Sequence, residues 1–298
     1  LAALEAYSAG VNAWIGEVNA GARGRGAPEF FLFSNEIAAW APADSIAILK
    51  LMALQLTGSV ETEVLRARVS LLLPPERLAD ILPDDPGQGV AALPDYASLV
   101  PGVAPDFAPV DFALGPLSPV AALGQAGASN SWAAMPGRSA AGGSLLANDP
   151  HLGLTAPTIW YLARLELQSG GVIGGTIPGV PVVLVGRSDR LGWGLTTAYV
   201  DDQDVLIEEL NPANPEEYRT PDGWAAFDSR QSIITVKDAD PVTLTLRWSR
   251  NGPILSGGHF DLGTITPGGH VAALAWTALA GDDTSMSGAM RLMRAGTV

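Results

Sequence analysis

The segment Ala128-Ser-Asn-Ser-Trp132 contains the serines whose surroundings best suit nucleophilic chemistry. A stretch rich in glycine and alanine, residues 123–128, ends here, and polar and aromatic residues typical of a strand start follow. A serine hydroxyl attacks a carbonyl group well only when a base activates it. Taken alone, this short string equally fits an ordinary strand edge with a turn serine, so its meaning depends on its context.

Several familiar site motifs are missing from the sequence. A nucleophile elbow of the form Gly-x-Ser-x-Gly is absent, since Gly137-Arg-Ser-Ala-Ala141 departs from it at the last position. The three histidines, His151, His259 and His270, are far apart in sequence, which argues against a zinc site built mainly of His and Cys. The loosely dinucleotide-like run 87–92 lies in a proline-rich stretch with no strand before it. The sequence therefore favours neither a Ser-His-Asp elbow nor a zinc or nucleotide site.

Composition excludes some partners. The 298 residues include 17 Lys+Arg and 31 Asp+Glu, a net charge of −14 that would repel the phosphate backbone of a nucleic acid. No apolar run reaches the roughly 20 residues of a membrane span, and no basic amphipathic stretch suits docking on a membrane surface. Cysteine is absent, so disulfides play no part. We therefore expect neither nucleic acid nor membrane as a partner.

Residues 1–82 read as helical. The first helix has apolar residues at helical spacing, Leu4, Tyr7, Val11, Trp14 and Val18. Because the sequence opens inside this pattern and stops just after a helix-like start at 290–294, we expect it to be cut at both ends.

A second helical region follows an Asp44 or Ser45 cap. Its apolar face consists of Ile46, Leu49, Ala53 and Leu56, and a further helix is predicted over 62–73.

The character of the chain changes twice after residue 82. Eight prolines interrupt residues 83–128, which predicts an interdomain linker or a removable spacer. From Ser129 onward strand-like runs dominate, among them 159–167, 180–186, 191–197 and 204–210, with two more within 232–248. Helices followed by strands predict a mixed fold with segregated layers.

Four further motifs follow the serine segment in order. They are Asn148-Asp-Pro-His151, Ile177-Pro-Gly-Val-Pro181, Leu191-Gly-Trp-Gly-Leu-Thr-Thr197 and Asp201-Asp-Gln-Asp204. With these motifs, the sequence resembles the penicillin acylase family of N-terminal-nucleophile hydrolases, which includes penicillin and cephalosporin acylases and acyl-homoserine-lactone acylases. The resemblance extends from the first helices to the end. It implies an α+β fold, the αββα sandwich of these hydrolases.

The resemblance also implies how the chain is divided and processed. Residues 1–82 would belong to the light chain, 83–128 to a spacer and 129–298 to the heavy chain, with the precursor, a zymogen, cutting itself between Ala128 and Ser129. The new N-terminal serine would be the nucleophile. Its own α-amino group, with a reference pKa of about 7.7–8.0, would be the base.

Roles for other residues follow from the same resemblance. The backbone N–H of Thr197 would donate to the oxyanion, His151 would help to position the Ser129 amine, and Asn148 would support that turn by hydrogen bonding. Alternatively, Thr197 is an ordinary threonine at a strand end and His151 an ordinary loop residue. By the resemblance, the family's second oxyanion donor, an asparagine, and a nearby arginine would come after the region that ends at Val298. Asn251 would not replace that asparagine, because it lies in Ser249-Arg-Asn-Gly-Pro253, which matches a different, upstream stretch of the family.

Two more sets of residues are implied. A calcium site would use Asp201, Asp204, the Gln203 carbonyl and the remote Glu63, or Glu61 if the alignment shifts, because Ca²⁺ prefers oxygen ligands. A solvated acidic turn is the alternative. The acyl pocket would be lined by the apolar residues Met52, Leu56, Leu152, Val185 and Tyr199, for which core packing is the alternative.

The expected activity is hydrolysis of a linear amide, releasing an acyl side chain from a small N-acyl substrate of the penicillin or cephalosporin type, as in antibiotic metabolism. Two alternatives stay open: an acyl-homoserine-lactone acylase and a non-catalytic binding protein on the same scaffold. No organic cofactor is expected. The partners would be the light and heavy chains of one precursor, in the periplasm or outside the cell.

Overall fold

The computed structural model describes residues 1–27, 36–73, 77, 96–99, 129–152, 156, 158–198 and 200–298. Helices occupy the first part of the chain and strands most of the rest, so the prediction of a mixed α+β protein is confirmed. The chain forms two compact units. The first unit contains 1–56, 122–198 and 284–298, and the second contains 57–121 and 199–283. Of the predicted spacer, only 96–99 lies within the described residues.

In its described residues, the first unit contains three α-helices and two small sheets. The helices are α1 (Ala2–Asn19), α2 (Pro42–Thr57, whose last residue enters the second unit) and the C-terminal helix of the chain, Ser285–Leu292. Strands β1 (Ser129–Ala134) and β2 (Leu145–Pro150) form an antiparallel pair. Strands β3 (Tyr161–Leu167), β4 (Gly170–Thr176), β5 (Val185–Ser188) and β6 (Gly192–Trp193) form an antiparallel sheet in that order.

Close backbone approach explains why the glycine-rich β4 is a strand. Gly174 pairs with Gly186 of β5, and a Cβ added to Gly174 would lie 2.0 Å from the Val185 carbonyl oxygen. Because glycine usually weakens strands, sequence patterns gave no sign of β4.

The run 180–186, predicted to be a buried strand, is buried but only partly a strand. Pro181 lacks an N–H for a ladder, and β5 begins only at Val185. The backbone of Val183 is satisfied elsewhere: its N–H donates to Met293 Sδ (3.3 Å) and its carbonyl accepts from Trp193 Nε1 (3.1 Å). The predicted strand over 191–197 likewise shrinks to β6.

The second unit contains helix α3 (Ser59–Ser70) and a seven-stranded antiparallel sheet. Its strands, in sheet order, are β10 (Asp228–Ile234), β11 (Val242–Ser249), β12 (Gly252–Leu255), β13 (His270–Trp276), β7 (Gln203–Asn211), β8 (Asn214–Thr220) and β9 (Gly223–Ala226).

Each unit has its own apolar core. In the first, residues of α1, the 177–183 segment, Trp193 and the C-terminal helix pack together, with Ile48, Leu49 and Met52 of α2 against them. In the second, Val64 of α3 packs with Leu262, Ile265 and Ala272. The α1 stripe differs from the predicted one, since Leu4, Ile15 and Val18 are buried whereas Trp14 is 45% exposed.

Within the described residues, no single helix is long and apolar enough to cross a membrane, although α2 and α3 taken together pass that test of length and composition as a bent pair.

The turn into β12 requires glycine at residue 252. Gly252 has φ +145°, and a Cβ there would lie 1.9 Å from the Leu274 carbonyl oxygen of β13. We expect Gly252→Ala to lower the free energy of unfolding by roughly 2–4 kcal/mol, since backbone strain and a backbone clash add.

The matched control is Gly10→Ala in α1, where a Cβ meets nothing within 4 Å. It should be neutral or raise stability by up to about 1 kcal/mol. Urea denaturation of both variants measures the difference, and equal effects would contradict the structural reading of Gly252.

Candidate functional site

Ser129 is the first residue of β1 and lies at an apolar pocket. It pairs with Pro150 of β2, and its carbonyl accepts a hydrogen bond from the Thr196 hydroxyl (3.3 Å). Its side chain is half-buried and contributes to the pocket lining. A nucleophile at the wall of an apolar cavity can meet a carbonyl whose acyl group fills that cavity.

Asn148 ties the strand of Ser129 to the segment that carries Thr197. Its Nδ2 donates to the carbonyls of Asn130 (2.8 Å) and Leu195 (2.9 Å), and its Oδ1 accepts from the Leu195 N–H (3.1 Å). Both amide hydrogens and the carbonyl oxygen are thus used. The side chain holds the residue after Ser129 at a fixed distance from the residue two before Thr197.

Gly194 makes room for the three hydrogen bonds of Asn148, which we call the Asn148 clamp. A Cβ at residue 194 would lie 2.7 Å from the Ser131 hydroxyl oxygen and 2.8 Å from the Asn148 Cβ. Only a residue without a side chain lets the 194–197 segment approach β1 and β2 so closely. The second glycine of the Gly-Trp-Gly motif therefore has a packing reason.

The pocket has a volume of about 260 Å³. Within the described part of the chain, its lining includes no charged side chain. The lining consists of Leu49, Met52, Ala53, Leu56, Ser129, Pro150, Leu152, Trp160, Ile177, Leu184, Val185, Leu195, Thr196 and Thr197. Four residues that the resemblance implied for the acyl pocket, Met52, Leu56, Leu152 and Val185, thus surround the same cavity as Ser129. The fifth, Tyr199, lies outside the described residues, as does Ala128 on the other side of the predicted cleavage site.

Thr197 lines the pocket together with Ser129. Its backbone N–H makes no hydrogen bond to any of the described residues. A backbone donor left unpaired beside a nucleophile can stabilise the negative charge that develops on a carbonyl oxygen during attack. The geometry is compatible with the implied oxyanion role, which stays a prediction.

The side chain of His151 lies at the surface, next to Pro150, the strand partner of Ser129. Its side chain is 52% exposed, and its Nε2 lies 3.4 Å from Asp149 Oδ2. Among the described residues, no histidine or carboxylate side chain forms a hydrogen bond with the Ser129 hydroxyl. A role for His151 in positioning the amine stays a prediction.

The acidic motif after the pocket segment is only partly buried. Asp201 and Asp204 are exposed, whereas Asp202 accepts hydrogen bonds on Oδ2 from Trp276 Nε1 (3.1 Å) and the Thr277 hydroxyl (2.8 Å). Gln203 is buried, with its Oε1 accepting from the Thr57 hydroxyl (3.3 Å).

The implied calcium ligands do not form a ready site as they are arranged here. Across the residues that the structure describes, no three His, Asp or Glu side chains form a group that could hold a metal ion. Two buried atoms, Asp202 Oδ1 and Gln203 Nε2, have no hydrogen-bond partner in the described part of the chain; the carboxylate oxygen is of the type that binds calcium, whereas the amide nitrogen is not. Calcium binding by Asp201, Gln203, Asp204 and Glu63 therefore stays a prediction.

Sequence reasoning missed part of the lining. Leu49 and Ala53 share the apolar face of α2 with Leu56, so helical spacing could have included them. Leu195 and Thr196 lie within the motif Leu191-Gly-Trp-Gly-Leu-Thr-Thr197. Trp160 and Leu184 gave no sequence signal, because their position depends on how β3, β4 and β5 pack.

We expect Asn148→Asp to disrupt the clamp. The carboxylate would face the carbonyl oxygens of Asn130 and Leu195 with no hydrogens to donate, which should cost roughly 1–3 kcal/mol of unfolding free energy. Thermal unfolding measures the effect. The control is Asn130→Ala, which removes an exposed side chain and leaves the bonding carbonyl in place. If Asn148→Asp is as stable as the wild type, the hydrogen bonds of Asn148 do not contribute to stability.

Comparison with known proteins identifies relatives of this chain. The family model for penicillin amidase matches residues 1–298. The acyl-homoserine lactone acylase QuiP of Pseudomonas aeruginosa is 30% identical over 73% of this chain and 26% of its own length. The penicillin acylase 2 proenzyme of Pseudomonas sp. (strain SE83) is 30% identical over 88% of this chain and 34% of its own length.

The chain thus spans about a quarter to a third of the length of these relatives. Among solved structures, a thermostable penicillin G acylase from Alcaligenes faecalis has 23% sequence identity and a TM-score of 0.49, over 56% of this chain and 29% of that chain. Since the family model covers every residue, the chain belongs to the penicillin amidase family.

Proposed function

We propose that the protein to which this chain belongs hydrolyses the linear amide bond of a small N-acyl compound, with Ser129 as the nucleophile. The observation that carries the proposal is the position of Ser129 in the wall of an uncharged, largely aliphatic pocket that also contains Thr197. The names of the relatives, which are acylases, support the same reaction class.

The base in this proposal is the α-amino group that a cut between Ala128 and Ser129 would release. That amine would take the hydroxyl proton as Ser129 Oγ attacks the amide carbonyl, and the proton would then pass to the leaving nitrogen. The acyl group would remain on Ser129 until water hydrolyses the ester. The N–H of Thr197 would donate to the oxyanion in both steps. The sandwich fold of N-terminal-nucleophile hydrolases and export to the periplasm belong to the same proposal.

The pocket lining favours an alkyl chain as the acyl group. Aliphatic side chains dominate it, and Trp160 is its one aromatic residue among those described. Burying each CH₂ group is worth about 0.8 kcal/mol, so a chain that extends along such a wall gains roughly fourfold in kcat/KM per methylene. This observation favours N-acyl homoserine lactones or other alkyl amides over phenylacetyl amides, and parallel assays of both substrate types test it.

Self-processing tests the nucleophile. In the product of the complete gene, we expect intact-mass analysis to find two chains, the heavier beginning at Ser129, and a single uncut chain for Ser129→Ala. The control is Ser131→Ala, which removes the other serine hydroxyl of the same strand and should leave processing intact. An uncut wild type, or processing that depends on Ser131, would contradict the proposal and favour a non-catalytic binding protein.

The depth of the pocket is tested by Ala53→Leu. Ala53 lines the cavity, so a leucine there should occupy the space of two or three methylenes and lower kcat/KM for the longest acyl chains by about tenfold or more. Short acyl chains should be hydrolysed as by the wild type. The control, Ala47→Leu, makes the same change at an exposed position of the same helix and should leave the chain-length profile unchanged. An unaltered profile in Ala53→Leu would mean that acyl chains bind elsewhere.

A further inference from the structure

Two asparagines of α1 form hydrogen bonds with the backbone of the segment 36–40, which leads into α2. Asn12 donates through Nδ2 to the Trp40 carbonyl (2.9 Å) and accepts through Oδ1 from the Trp40 N–H (2.7 Å). Asn19 does the same with Ile37, at 3.0 and 2.9 Å. Each side-chain amide thus pairs with a backbone residue through one donor and one acceptor, as neighbouring strands do.

The two pairs of hydrogen bonds can form together because the rise per residue is smaller in a helix than in an extended chain. Seven residues separate Asn12 from Asn19, which is nearly two full turns and about 10.5 Å along the same face of α1. Three residues separate Ile37 from Trp40, and an extended chain covers about 10 Å in that number. Both amides therefore meet their partners without distortion, and the segment is fixed in position and direction.

Trp40 contacts two elements that contribute to the pocket lining, α2 and the 177–180 turn. Its Nε1 donates to the hydroxyl of Ser45 (3.1 Å), a fully buried residue in the first part of α2. The next turn of that helix supplies Leu49 to the pocket. Trp40 itself is not part of the lining, so it acts on the cavity through the elements that it holds.

The second element is the 177–180 turn. A Cβ at Gly179, which has φ +94°, would lie 3.0 Å from Cη2 and Cζ2 of Trp40 and 3.4 Å from Cγ1 of Ile48, so the indole packs directly on the glycine backbone. The Gly179 N–H donates to the hydroxyl of Tyr7 (3.2 Å) on α1. Ile177, at the start of this turn, is buried and lines the pocket.

We infer that Trp40, held in place by Asn12, is a positioning residue that sets the spacing between α2 and the 177–180 turn and thereby selects the length of acyl chain that the pocket accepts. The inference rests on the proposed function, because it concerns the same pocket. It assigns a specificity role to residues that touch neither the substrate nor Ser129.

The experiment compares Asn12→Ala and Trp40→Phe with the wild type, all expressed from the complete gene. Trp40→Phe keeps an aromatic ring but loses the Nε1–H and the outer ring atoms that contact Gly179. We expect both variants to be processed at Ser129 and to keep the wild-type kcat for a short acyl substrate. The ratio of kcat/KM for a long over a short acyl chain should change by about threefold to tenfold, mainly through KM.

Asn19→Ala is the matched control, since it removes the same two kinds of hydrogen bond three residues further from α2. It should lower the melting temperature by no more than Asn12→Ala does, because its hydrogen bonds are exposed, and it should leave the ratio unchanged. A ratio that stays within twofold of the wild type in Asn12→Ala and Trp40→Phe overturns the inference. An equal shift in Asn19→Ala also overturns it, because general loosening would then be the cause.

Failure of the proposed function is distinguishable from failure of this inference. If the wild type neither cuts itself nor hydrolyses any acyl amide, the proposed reaction is wrong. Binding of free carboxylic acids of increasing chain length, measured by calorimetry on the same proteins, then tests the pocket walls directly. A chain-length preference that Asn12→Ala and Trp40→Phe alter supports the positioning role, and one that they leave unaltered refutes it.

Discussion

The three hydrogen bonds of Asn148 are the contact on which the candidate site depends. Strand β1 pairs only with β2 in the described part of the chain, and a two-stranded ribbon is marginally stable by itself. Asn148 joins this ribbon to the 194–197 segment through the backbone of Asn130 and Leu195. Because backbone groups are bound on both sides, this link does not depend on which side chains Asn130 and Leu195 carry, and the Thr196 hydroxyl adds a bond to the Ser129 carbonyl.

Close backbone packing is the second condition. Gly194 lets the 194–197 segment reach Asn148, and the pair Gly174 and Gly186 brings β4 against β5 so that Val185 faces the cavity. In each place a Cβ would come within 3 Å of another residue. The shape of the cavity therefore depends on these glycines as much as on the aliphatic side chains that line it.

Different elements of the first unit supply the polar and the apolar parts of the pocket. The β1–β2 ribbon and the 194–197 segment present polar and backbone groups, while α2 and the 177–185 segment supply apolar surface. Side-chain amides bind backbone groups of a second segment at three described positions: Asn148 beside Ser129, Asn12 at Trp40 and Asn19 at Ile37. An asparagine suits such joints because its donor and acceptor match both groups of a peptide unit.

The sequence by itself determined the order of helices before strands and the ordered motifs that mark the penicillin amidase family. It also indicated which apolar residues of α2 share a face, since helical period is a local property. Tertiary structure decided what that face contacts, because the positions of Trp160, Ile177 and Leu184 around the cavity depend on sheet packing. It also decided that 180–184 is not a strand, that β4 is one, and that Asn12, off the apolar stripe of α1, binds the backbone of Trp40. These outcomes depend on partners distant in sequence, such as Met293 for Val183, which local patterns of residue type do not encode.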